Sequence, residues 1–87
     1  MAIKHIKTAT GFEADIDDSV IDDMELFDAI ADLQAGEVMC IPTVINKLVG
    51  SSKKALYDHC RLENGRVPTQ AVVAEITDIL TELNGKN

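Results

Sequence analysis

The chain has no Trp, and only Phe12, Phe27 and Tyr57 are aromatic. Core volume must therefore come from branched aliphatics, nine Ile, seven Leu and seven Val, a set suited to helix packing. Cys40 and Cys60 stand far apart with no second Cys or His at ligand spacing. That excludes a disulfide scaffold and a zinc signature, and a reducing, cytosolic setting is expected. No apolar run approaches the roughly 20 residues of a membrane helix, and the first residues show no charged-then-apolar leader. With 87 residues, the expectation is one soluble domain without a membrane partner.

Lys and Arg are missing from Phe12 to Val38, a stretch that holds ten carboxylates: Glu13, Asp15, Asp17, Asp18, Asp22, Asp23, Glu25, Asp28, Asp32 and Glu37. The formal charge of -7 is accordingly uneven, with +2 over residues 1–11, -10 over 12–39, +3 over 40–66 and -2 over 67–87. So much charge of one sign in one place points to a positive partner or to a solubilising face. It also repels phosphate backbones, so no nucleic-acid partner is expected. Lys47, Lys53, Lys54, Arg61 and Arg66 read as internal neutralisers.

Motifs that carry chemistry are absent as well. Counting a calcium loop from Asp15 puts Val20 where Gly is required and Leu26 where a bidentate Glu belongs. His59 and Cys60 are helical neighbours whose side chains diverge by about 100°, so they form no nucleophile-base pair. Ser51 and Lys54 have the Ser-x-x-Lys spacing of penicillin-recognising enzymes without their other motifs. A helix-turn-helix made of the last two helices would place Glu75, Asp78 and Glu82 beside DNA phosphates. No enzymatic activity, cofactor or metal is expected.

The fold reads as mainly α (α+β), a short N-terminal β-hairpin packed on about four helices. Residues 1–17 form the hairpin, 18–84 the helical part, and 85–87 a frayed tail. Ile6, Thr8, Thr10, Phe12, Ala14 and Ile16 alternate with period two, with a turn at Ala9 to Gly11. Ser19 is the expected N-cap of the first helix, with Gly36 past its end. Met24, Phe27, Ile30 and Ala31, widened by Leu26 and Leu33, form its apolar stripe, leaving Glu25, Asp28 and Asp32 outside. Pro42 opens a second helix that Gly50 ends, Ser51 or Ser52 caps a third running through Leu62, and Pro68-Thr69 opens the last. That helix carries Val72, Val73, Ile76, Ile79, Leu80 and Leu83, a stripe broad enough to serve the core and a partner. The expected core is Phe12, Phe27, Ile30, Leu48, Leu56, Ile76 and Leu80.

Four segments, in this order, resemble the small tail assembly chaperones of long-tailed (siphovirus-type) bacteriophages and prophages: Thr10-Gly11-Phe12-Glu13, Asp22-Asp23-Met24-Glu25-Leu26, Leu48-Val49-Gly50, and Leu56 through Pro68. The resemblance implies a non-enzymatic protein of the bacterial host cytoplasm, absent from the mature virion. Such a protein coats the helix-rich tape-measure protein, keeps it soluble and helps recruit tail-tube subunits. Self-association is a separate expectation, from the breadth of the last helix's apolar stripe. The residues offered for partner binding are Glu25, Asp28, Asp32, Val73, Leu80 and Leu83. The competing readings are an acidic protein-binding module, as a nucleic-acid mimic or inhibitor of a host enzyme, and then a small helical transcription regulator.

Overall fold

Alternation of apolar and charged residues at the N-terminus produces two antiparallel strands, β1 (Ile3–Lys7) and β2 (Glu13–Asp17), paired from Ile3 with Asp17 to Lys7 with Glu13. The computed structural model describes residues 2–84; the tail at 85–87 lies outside the described residues. The turn closes through Thr8 N–H to Phe12 O at 2.9 Å and Gly11 N–H to Thr8 O at 3.0 Å, with Gly11 at φ 96°. A residue with a Cβ would be strained there. Ile6, Phe12 and Ile16 point inward and are buried, as the period-two pattern requires.

The outer face of the hairpin is a charge ladder. His5 Nδ1 lies 2.7 Å from Asp15 Oδ1 and Nε2 lies 2.8 Å from Glu13 Oε1. Only the imidazolium donates at both nitrogens, so the Asp15 and Glu13 hydrogen bonds hold the His5 pKa above its ordinary 6.5. A raised folded pKa stabilises the hairpin fully below about pH 6.5 and ceases to do so as pH rises through the folded value. NMR titration should place the His5 midpoint above that of an unfolded peptide, and His5→Gln should flatten the stability profile in that window. An unshifted midpoint would mean that the two contacts do not persist in solution.

Four helices follow: α1 (Met24–Gln34), α2 (Ile41–Leu48), α3 (Lys53–Cys60) and α4 (Thr69–Leu83). Ser19 does not cap α1. It sits in a 3-10 turn (Asp18–Ile21) that Asp17 caps, and the N-cap of α1 is Asp23, whose Oδ1 accepts from Glu25 N at 2.9 Å and Leu26 N at 3.4 Å. Burial works to raise the Asp23 pKa, yet the Leu26 and Glu25 N–H donors with the Lys47 ammonium hold it below the ordinary value. Its contribution is therefore present above about pH 3.8 and lost as pH falls through the depressed folded pKa. Asp23→Ala should cost about 1 kcal/mol by denaturant melting, whereas Ser19→Ala should stay within about 0.5 kcal/mol. The reverse order would return the cap to Ser19.

The exit of α1 is a Schellman closure. Glu37 N–H reaches Asp32 O at 2.9 Å and Gly36 N–H reaches Leu33 O at 3.0 Å, with Gly36 at φ 99°. Pro42 lies in the first turn of α2. Ser52 precedes α3 without a side-chain cap, and α3 stops at Cys60 rather than Leu62. The reason is local: Leu62 N–H bonds Arg66 O, Gly65 N–H bonds Leu62 O, and Arg61 Nη1 reaches Gly65 O at 2.8 Å, closing a loop that leaves Leu62 exposed.

The core gathers Ile6, Phe12 and Ile16 from the hairpin with Leu26, Ile45, Leu48, Leu56, Ile76 and Ile79 from the helices. Three residues expected in it are not buried. Ile30, like Leu80, is only half-buried and packs against the edge of the core. Phe27 is 53% exposed, and Leu26 and Ala29 take the inward positions on α1. Leu80 is half-buried, while its neighbour Ile79 is fully buried.

Candidate functional site

The rotation of α1 decides what the surface offers. With Leu26 and Ala29 facing inward, the acidic flank of α1 lies toward α2, where Lys47 contacts Glu25 Oε1 at 2.9 Å and Asp23 Oδ2 at 3.5 Å. Chiefly the Glu25 hydrogen bond raises the Lys47 pKa, so this cation is fixed. Glu25, Asp28 and Asp32 then line one crevice together with Ala29, Cys40, Thr43 and Lys47. Cys40 Sγ is held at the Glu37 and Ala29 carbonyls, 2.9 and 3.1 Å away.

The other flank of α1 borders a different recess. Helix α1 packs chiefly on α2, and α4 on β1 and α3, which leaves a cleft of about 420 Å³ between α1 and α4. Ile30, Leu33 and Gln34 form one wall; Val73, Ile76, Thr77, Leu80, Thr81 and Asn84 form the other. None of these nine side chains is ionisable, in a chain where about a quarter of the residues are charged. The threonine hydroxyls are satisfied within α4, Thr77 donating to Val73 O at 3.1 Å and Thr81 to Thr77 O at 2.9 Å. From Val73 to Asn84 the wall follows helical spacing for about 16 Å, the length of an 11-residue helix.

Of the residues offered for binding, Glu25, Asp28 and Asp32 are thus grouped in one crevice and Val73 with Leu80 in the other, and the two share no lining residue. Leu83 belongs to neither. It is 3% exposed and part of the core, because it continues the inward row of Val72, Ile76 and Ile79 on α4.

A polar cluster around one buried carboxylate was not legible as such. Glu75 is 4% exposed. Its Oε2 accepts from the Thr10 hydroxyl at 2.5 Å, and its Oε1 has no hydrogen-bond partner. Thr10 Oγ1, having given its proton to Glu75, accepts from His59 Nε2 at 2.9 Å, and the His59 ring leans on Phe12 at 5.5 Å. Burial, then the Glu75 charge, raises the Cys60 pKa and keeps it a thiol. The cluster joins the hairpin turn to α3 and α4 but presents no activated nucleophile. Its sequence signal is the position of Glu75, three residues after Val72 and four before Ile79, inside the apolar row.

Among the described residues no three His, Cys, Asp or Glu are placed to hold a metal, and no helix is long and apolar enough to cross a membrane. Comparison with protein-family models, with curated proteins and with solved structures returns no match to this chain.

Proposed function

We propose that this protein is a tail assembly chaperone that holds an amphipathic helix of a tape-measure protein in the α1–α4 groove. The observation that carries this reading is the groove itself: apolar, free of ionisable side chains, and about three helical turns long. A helix-rich client kept soluble before assembly needs its apolar stripe covered, and Ile30, Leu33, Val73 and Leu80 offer the matching surface. The acidic flank of α1 faces away from the bound client. Its role is to keep the complex dispersed, since each added copy brings a charge of -7.

The acidic-module reading has less support, because Lys47 already pairs Glu25 inside the crevice that groups the three acids of α1. Co-expression with the tape-measure protein of the same phage, followed by size exclusion with light scattering, tests the proposal. Several copies should co-elute with a client that is insoluble alone. A client that stays aggregated, with no co-elution, rejects the chaperone role.

A further inference from the structure

The two-stranded sheet keeps one edge open. Thr8 N–H to Phe12 O at one end and Asp18 N–H to Ala2 O at the other fix which residues share ladder hydrogen bonds. Ile6 with Ala14 and Lys4 with Ile16 belong to that set, so the N–H and C=O of Glu13 and Asp15 and the N–H of Asp17 point away from β1. No hydrogen bond reaches these groups among the described residues. Helix α4 packs on β1, whereas β2 has no helix packed on it to that extent, and an unpaired edge is a template for one more strand.

Beside this edge lies a recess of about 240 Å³. Ile16, Val20, Leu48 and Val49 make its lining largely apolar, and across from β2 the turn after α2 adds little bulk at Gly50 and Ser51. Lys47 also lines it, but its ammonium is held by Glu25 and Asp23. The side chains of Glu13, Asp15 and Asp17 share the outer face of β2. The basic residues that answer them, His5 and Lys7, sit on β1, one strand further from the open edge. A third strand would thus set its outward side chains beside a row of carboxylates and its inward ones over apolar residues. That row repels a second copy of this chain, at -7, and attracts a basic strand.

We infer that an extended segment of another protein, in which Lys or Arg alternates with small apolar residues, adds to the free edge of β2 as a third strand. Its basic side chains lie beside Glu13, Asp15 and Asp17, and an apolar one enters the recess over Ile16 and Val49. Main-chain hydrogen bonds supply the affinity, and the alternation supplies the specificity. This edge shares no residue with the α1–α4 groove, so the inference stands apart from the function proposed above.

NMR titration of the isotope-labelled protein with a short amidated peptide that alternates Lys and Val tests the inference, beside a block peptide of the same composition with every Lys before every Val. The alternating peptide should shift the amides of Glu13, Asp15 and Asp17, slow their hydrogen exchange several-fold, and bind more weakly as salt is added. Glu13→Gln with Asp15→Asn, which keeps the shape of the hairpin, should weaken binding roughly three- to tenfold. Asp15→Pro removes an N–H that the β1–β2 ladder does not use and should abolish binding in a protein still folded by circular dichroism. Equal binding of the block peptide, indifference to salt, or shifts confined to other surfaces would each overturn the inference. So would exchange at Glu13, Asp15 and Asp17 that slows with protein concentration alone, which would assign the edge to a second copy.

Discussion

Ile79→Asp should abolish cooperative unfolding, while Leu80→Asp, one residue along the same helix, should keep it. Ile79 is fully buried, and an aspartate there has no partner and no path to water, a cost of roughly 4–5 kcal/mol or more. For a chain of this length the whole stability is about 4–13 kcal/mol, so little or nothing would remain. Leu80 is half-buried and lines the groove. Its carboxylate can reach solvent, the loss should be about 1–2 kcal/mol, and what disappears is the apolar surface between α1 and α4. Thermal melts of the two variants decide the matter. A native melt for Ile79→Asp, or none for Leu80→Asp, would mean that α4 is rotated from the position described.

The second large effect is expected at Thr10, an exposed residue that would ordinarily be silent. Thr10→Val keeps the shape and removes the hydroxyl that donates to Glu75 Oε2. Because Glu75 Oε1 already lacks a partner, the buried carboxylate would then have no donor among the described residues. The expected loss is about 2–3 kcal/mol, the penalty for stranding a buried charged acceptor. Glu75→Leu removes both the charge and the demand for a donor and should be close to neutral. In that background Thr10→Val should cost almost nothing, giving a coupling energy of about 2 kcal/mol. Urea titrations of the four proteins measure it, and simple additivity would show that the Thr10–Glu75 contact contributes nothing.

These two cases also mark what the sequence could convey. The hairpin was legible because period-two alternation and Gly11 leave few other options, and α2 and α4 because Pro42 and Pro68 stand at their starts. The rotation of α1 was not. Met24, Leu26, Phe27, Ile30, Ala31 and Leu33 cover about half of its circumference, so the pattern alone admits either edge as the inner one. Tertiary packing makes the choice: Leu26 and Ala29 enter the core, Phe27 stays outside, and Lys47 pairs with Glu25 and Asp23 on the flank that results. The cap expected at Ser19 falls four residues on, at Asp23, because a 3-10 turn precedes the helix. The groove was half legible: Val73 and Leu80 belong to the stripe offered for partner binding, although Leu80 was also expected in the core, and Ile30 and Leu33 join them only through tertiary packing. Leu83 shows the limit of a stripe as evidence, since its two edges differ in burial and hydrophobicity does not distinguish them.

The claim that a helix docks between α1 and α4 is tested most directly by amide and methyl NMR of the labelled protein, titrated with a helical segment of the tape-measure protein. The account predicts shift changes concentrated at Ile30, Leu33, Val73, Thr77 and Leu80, with Asp28 and Asp32 undisturbed and with no response in Leu80→Asp. Changes centred on Glu25, Asp28 and Asp32 and suppressed by salt would contradict it and identify the acidic crevice as the binding surface.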